Sequence, residues 1–321
     1  MRRGAEVPPT AREGGRERPW AALLAGILAI SSASVLIRLA AAPPLAIGAW
    51  RLGLATLALT PWAFPHFLRA ARFLRRRQAL WLVLSGAALA CHFAVWIASL
   101  AYTSVASSVV LVTTTPIHVG LATRFLLGER VTARRWLAIG LAVVGGAAIG
   151  WGDVQLSGRA LLGDALALVG AIAMAAHLLI GRALRRTLST PAYIWPAYGI
   201  AALTLTGVCL IARQPLLGYD RATFAALALL ALVPQVVGHS ILNWALARVS
   251  PLMVTLAILG EPIGASALAY LVLGEAPPLT LWLGGPLLLS GLVLASWDEA
   301  VPATPPKRTH TQPDSARRTC S

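Results

Sequence analysis

The chain has 321 residues, of which 57% are hydrophobic and only 12% charged, with a mean hydropathy of +0.72. Soluble domains carry about a quarter charged residues, so composition excludes a soluble globular protein. The net charge of +15 does not imply a nucleic-acid partner, because the Arg residues fall in short connectors and tails, where membrane proteins collect them.

Residues 1–19 are polar and hold five Arg. The first apolar span, 20–41, is too long for a signal-peptide core and lacks a cleavage-like end, so it reads as a retained helix. Further spans follow at 45–64, 79–100, 104–126, 135–151, 163–182, 192–212, 223–246, 250–273 and 278–297. Each is close to the ~20 residues that cross a ~30 Å hydrocarbon core. Turn signals separate them: Pro43-Pro44, Gly128, Gly152-Asp153, Pro191, Pro215 and Pro277-Pro278. Residues 298–321 form a second polar tail, expected to be disordered like the first. The fold class is therefore an all-α integral membrane protein with ten transmembrane helices, and the lipid bilayer is its first partner. Cys91, Cys209 and Cys320 fit neither a disulfide framework nor a metal pattern, and no cofactor is expected.

The connectors orient the spans. Counted by side, 22 basic residues face one way and 3 the other (Arg159, Arg213 and Arg221), with Arg38 and Arg51 set aside within or near spans. An imbalance of that size places both termini in the cytoplasm.

The chain also repeats itself. Pro116, Leu127-Gly128-Glu129, Trp136 and Gly145 return 146 positions later as Pro262, Leu273-Gly274-Glu275, Trp282 and Gly291. A fainter echo relates Gly26 and Arg38 to Gly170 and Arg182. The repeat divides the chain into 20–151, with five spans, and 152–297, with five more. Five is odd, so the second half enters the bilayer from the opposite face and the repeats are inverted. Glu129 and Glu275 then end their spans on opposite sides. Inverted repeats are the architecture of carriers that work by alternating access around a site near the midplane.

These residues resemble the drug/metabolite transporter superfamily, specifically ten-helix proteins with two EamA domains. The resemblance rests on the tandem duplication, on the two matching endings, and on Trp50-Arg51 early in the second span. It covers about 20–297. It implies a carrier in the bacterial plasma (inner) membrane, commonly an exporter of amino acids or other small metabolites. The halves part at one position, where Thr115-Pro116 faces Glu261-Pro262.

Ionisable residues at bilayer depth are costly and mark functional sites. Glu261 lies eleven residues into the ninth span, about 16 Å along a helix rising ~1.5 Å per residue, near the midplane. Pro262 frees the carbonyl of Ile258 and loosens the helix there. Glu261 is a candidate for proton coupling or for holding an ammonium group; the alternative is a structural hydrogen bond between helices. Arg51 either binds a substrate carboxylate, pairs with Glu261, or snorkels to the interface. Gln235, His239 and Asn243 share one face of the eighth span, and His92 and Trp96 recur at nearly matching positions of the third. This set, with Trp195 and Tyr198 beside Pro196, is expected to line a cavity, polar helix packing being the alternative. His118 and His177 read as packing residues, and the four His are not spaced to hold a metal. Trp20, Trp136, Trp151 and Trp282 read as interfacial anchors. Gly260 and Gly264 suit close helix approach, and such patterns leave a homodimer open.

No phosphate loop is present, so the chain does not hydrolyse ATP by itself. An intramembrane enzyme lacks support, since neither a G-x-S-x-G elbow nor an H-E-x-x-H pair occurs. A retinal photoreceptor needs an intramembrane Lys, and the sole Lys is Lys307 in the tail. The expected function is a secondary transporter of a small metabolite; the alternatives are a drug or organic-cation efflux carrier and, from a different class, a channel.

Overall fold

The structure is a computed structural model that describes residues 19–99, 102, 103, 108, 111, 112, 114–150, 158–274 and 279–300. Residues 1–18 and 301–321 of the tails, Trp151, Glu275 and Pro277-Pro278 lie outside the described residues. Thirteen α-helices and one π-helical turn make up the described fold, and no strand occurs among the described residues. In chain order they are α1 (Pro19–Ser31), α2 (Ala33–Leu39), α3 (Pro44–Ala71), α4 (Arg76–Ser99), α5 (Thr115–Phe125), α6 (Ala133–Gly150), α7 (Gly158–Arg185), α8 (Thr190–Ile211), α9 (Arg221–Leu230), the π turn (Ala231–His239), α10 (Ser240–Ala245), α11 (Pro251–Ile258), α12 (Glu261–Leu273) and α13 (Leu279–Ala300).

Seven helical stretches are long and apolar enough to cross a membrane: Trp20–Leu39, Arg76–Ser99, Gly158–Arg185, Thr190–Ile211, Arg221–Ala245, Pro251–Val272 and Leu279–Trp297. Helix α3 runs seven residues past its expected end at 64, to Ala71, through Pro61 and Pro65. Its apolar run is broken by Arg51. Large side chains such as Leu57, Leu203, Ile211 and Leu283 are exposed on the outer surface, as helices facing lipid require.

The first, eighth and ninth expected spans are not single regular helices, and each break has a local cause. The first bends at Ser31-Ser32, whose hydroxyls donate back to the carbonyls of Ile27 (2.8 Å) and Ala29 (2.7 Å) and compete with the helix ladder. In the eighth, Pro234 lies inside the π turn. The proline ring excludes the i−4 carbonyl, and widening the turn relieves that clash. The ninth parts between α11 and α12 at Leu259-Gly260, directly before the proline that frees the Ile258 carbonyl. On the connector before α9, Asp220 accepts from the backbone N–H of Thr223 at 2.8 Å, and the Thr223 hydroxyl together with that N–H holds its carboxyl below the usual range.

The repeated motifs have physical reasons. Gly128 and Gly274, 146 positions apart, both adopt positive φ, 67° and 69°. Each ends its helix with a left-handed residue that any side chain would strain. Gly145 and Gly291 seat α6 and α13 against each other. A Cβ on Gly145 would come 2.6 Å from the Gly284 carbonyl oxygen and 2.5 Å from the Leu288 nitrogen. A Cβ on Gly291 would come 2.6 Å from the Ala138 oxygen and 2.9 Å from the Ala142 nitrogen. Adding 146 to 138 and 142 gives 284 and 288, so the two contacts are the same contact exchanged between halves. Because 145 meets 284–288 while 138–142 meets 291, the equivalent helices run antiparallel.

A second equivalent pair, α3 and α8, does likewise. Gly48 faces Leu205, whereas Thr60 accepts from the Trp195 indole at 2.9 Å. Of the other packings, α4 with α7 and α1 with the π turn trade places when the halves are swapped, as do α4 with α8 and α3 with the π turn.

Polar contacts also join the halves near the surface. Arg182 on α7 pairs with Glu129 after α5 at 3.0 Å, with side chains 23% and 42% exposed. Such pairs are screened and contribute about 0–1 kcal/mol. A double-mutant cycle of Arg182→Ala and Glu129→Ala, read by unfolding in detergent, is therefore expected to give a coupling under about 1 kcal/mol.

Candidate functional site

A cavity of about 140 Å³ lies where the two halves meet. Its walls come in repeat-related pairs: Ile30 with Met174, His92 with His239, and Thr115-Pro116 with Glu261-Pro262. The offsets are 144, 147 and 146, so the cavity lies on the axis that exchanges the halves. Arg51, Phe93 and Trp96 complete the parts used below.

Arg51 is only 2% exposed. It donates its Nε to Gln235 Oε1 at 2.7 Å, and its guanidinium carbon lies 4.6 Å from the centre of the Phe93 ring. Neither Nη nitrogen has a hydrogen-bond partner among the described residues, and neither is sealed from the cavity. Glu261 begins α12 immediately after the break in the ninth span. Its backbone carbonyl accepts from Ser31 Oγ at 3.3 Å, while its carboxylate has no protein donor among the described residues. The two charges line one cavity without forming a direct ion pair. Gly264, one turn on, lets α12 approach Ser31 of α1, where a Cβ would meet the Ser31 side chain. Gly260 faces Ile27.

His92 is 5% exposed, and its Nδ1 sits 2.9 Å from the Gly170 carbonyl oxygen. A carbonyl only accepts, so Nδ1 carries the hydrogen. In the neutral ring Nε2 is then a lone-pair acceptor. Its ring stacks on Trp96 at 5.8 Å and 11°. His239 has no hydrogen-bond partner for its ring among the described residues and meets Phe93 edge-on at 5.9 Å.

Of the residues expected to line a cavity, Arg51, His92, Trp96, His239 and Glu261 do line this one. Gln235 is fully buried behind Arg51. The structure brings neither Gln235 nor the other three to the walls of this cavity. Asn243 lies one turn beyond the cavity, donating to the His239 carbonyl (2.9 Å) and toward Tyr198 Oη (3.4 Å). Tyr198 is fully buried and meets Ser240 and Asn243. Trp195 packs between Phe64 and Phe67, because the antiparallel α3–α8 pair closes over that face. His177 is held by Ser85, whose Oγ also meets Tyr193 Oη. His118 meets Thr114.

Phe93 and Met174 were not singled out in the sequence. The repeat offset gives Met174 as the partner of Ile30; nothing local distinguishes Phe93 from a lipid-facing aromatic. Trp20 and Trp282 are exposed near helix ends, whereas Trp136 packs on Gly120. No group of three metal-binding side chains occurs among the described residues.

The sequence profile described as the EamA-like transporter family matches residues 19–151 and again 161–297. No curated protein matches. A solved crystal structure is similar with a TM-score of 0.73, over 88% of this chain and 97% of its own, at 17% identity. That likeness speaks for the fold.

Proposed function

The chain belongs to the EamA-like transporter family, and on that premise we propose that it is a secondary carrier of a small zwitterionic metabolite, an amino acid or a close relative, exported across the bacterial inner membrane by alternating access. The observation that carries this reading is the pair of opposite charges, Arg51 and Glu261, which line one small cavity with no direct ion pair to either among the described residues. Desolvated charges are tolerated when paired. Among the described residues neither forms a direct ion pair, with the other or elsewhere, so the complement comes from a cargo bearing both a carboxylate and an ammonium group. His92 Nε2 offers the ammonium a second acceptor.

Size supports a metabolite over a drug. The cavity, about 140 Å³, falls well below the ~300–1,000 Å³ typical of drug-sized sites. The antiparallel packing of equivalent helices supports inverted five-span repeats and ten crossings. It favours two states of similar energy, open to opposite sides. The excess of Arg in one set of connectors supports cytoplasmic termini.

The test is uptake and efflux in proteoliposomes. A common amino acid is expected to be transported, and both its amide and its deaminated acid are expected to compete at least about tenfold less well, since each lacks one charge partner. Equal competition by the amide would favour an organic-cation carrier instead. No transport of any zwitterion would end the proposal.

A further inference from the structure

Building on the carrier reading above, we propose that Gln235 is a positioning residue that aims Arg51 at the cargo's carboxylate and thereby sets selectivity for that group. Arginine has five donors in a planar fork and accepts nothing. One of the five, Nε, is committed to Gln235 Oε1 at 2.7 Å. The same argument fixes the amide, since only its oxygen can face a donor. Phe93 lies beneath the guanidinium at 4.6 Å and restrains its plane. With Nε tied and the plane fixed, the free Nη edge is the part left to the cavity. That edge matches a planar, two-oxygen anion in two parallel hydrogen bonds.

The chemistry of the acceptor matters as much as its place. A carboxylate at 235 would hold Arg51 equally well but would cancel its charge. A neutral amide orients the fork and leaves the full positive charge for the cargo. Gln235 is fully buried, and its Nε2 makes no hydrogen bond of normal geometry among the described residues. A residue kept only for helix packing gains nothing from that orphaned donor, whereas one kept for its oxygen accepts it. The bond also joins the halves: Arg51 stands on α3 of the first repeat, and Gln235 on the π turn of the second. Pro234, next to it, is inside that widened turn, so the irregular backbone is what presents the amide.

The experiment uses the full-length protein in proteoliposomes, with two isosteric variants, Gln235→Met and Gln235→Glu. The probes are the best-transported common L-amino acid and the primary amide of that same amino acid, the latter read as a competitor. Gel filtration in detergent first scores each variant as folded. For Gln235→Met the amino acid's KM is expected to rise about tenfold, the effect of one hydrogen bond to a charged group. Its kcat should stay near wild type, and the amide's inhibition constant should change by less than about twofold. Gln235→Glu is expected to reverse selectivity in favour of the cationic amide, and it carries the test if the Met variant is not recovered folded.

An unchanged ratio of amino-acid KM to amide inhibition constant in the folded variants would overturn the proposal. So would a uniform fall in kcat for Gln235→Met with no change in that ratio. Wild-type protein that moves amines but no carboxylate-bearing cargo would overturn the clamp while leaving a carrier. Wild-type protein that moves neither would overturn the reading on which the clamp rests.

Discussion

Glu261→Gln is expected to lower zwitterion transport by about 100-fold, because removing one partner of a desolvated charge interaction costs roughly 2–5 kcal/mol and each 1.4 kcal/mol is about tenfold. The loss should fall on function more than on folding. The carboxylate makes no hydrogen bond to the protein among the described residues, and the helix start is held by the backbone carbonyl, which accepts from Ser31 Oγ. An isosteric amide leaves that contact in place. The folded Glu261→Gln variant should therefore be recovered in wild-type amounts but fail to concentrate cargo.

The same variant addresses coupling. If Glu261 carries a proton through the cycle, uptake driven by an imposed pH gradient stops in Glu261→Gln, while exchange down the cargo's own gradient is slowed. Wild-type accumulation against a pH gradient by the folded variant would remove both roles at once.

The repeat made most of this architecture legible. Glycine at 128 and 274 is required by positive φ, and glycine at 145 and 291 by backbone contact. Both were visible as echoes before any coordinates, because a constraint obeyed twice leaves the same residue twice. The intramembrane charges were legible for a different reason: the bilayer penalises them unless they serve a site. Helix-face arguments did less well. The i, i+4, i+8 row of Gln235, His239 and Asn243 is real, but a row about 12 Å long outruns a small cavity at ~1.5 Å per residue. Only His239 opens onto it, with Gln235 buried behind Arg51 and Asn243 one turn past.

Trp195 and Tyr198 are kept from this cavity by packing between helices far apart in sequence. Their placement depends on α3 lying across α8, which no pattern within residues 192–212 encodes. The π turn was equally hidden. Pro234 signals a disturbed helix, but whether that becomes a kink, a break or a wider turn is decided by what packs around it.

The largest effect on stability is expected at Gly145 and Gly291. In a membrane, helices gain little from apolar burial against one another, so association depends on close van der Waals contact, which small residues permit. At both glycines the atoms that an added Cβ would strike belong to the backbone of the facing helix, at 2.5 to 2.9 Å. Backbone cannot rotate aside as a side chain can; the helices must separate. Gly145→Leu and Gly291→Leu are each expected to destabilise by at least about 3 kcal/mol, the upper range for overpacking.

The reciprocal geometry adds a sharper expectation. Since the two contacts are one contact exchanged by the repeat, the two single variants should destabilise equally. The double variant should cost less than their sum, because the first substitution already opens the gap that the second needs. Gly140, by contrast, has nothing within 4 Å of a Cβ, and Gly140→Ala should be neutral or slightly stabilising, as removing a helical glycine gains roughly 0.5–1 kcal/mol. Thermal unfolding of the purified variants in detergent, followed by fluorescence gel filtration, measures all four. Markedly unequal losses at 145 and 291, or strict additivity in the double variant, would show that α6 and α13 do not meet across a shared axis. The inversion would then have to rest on α3 and α8 alone.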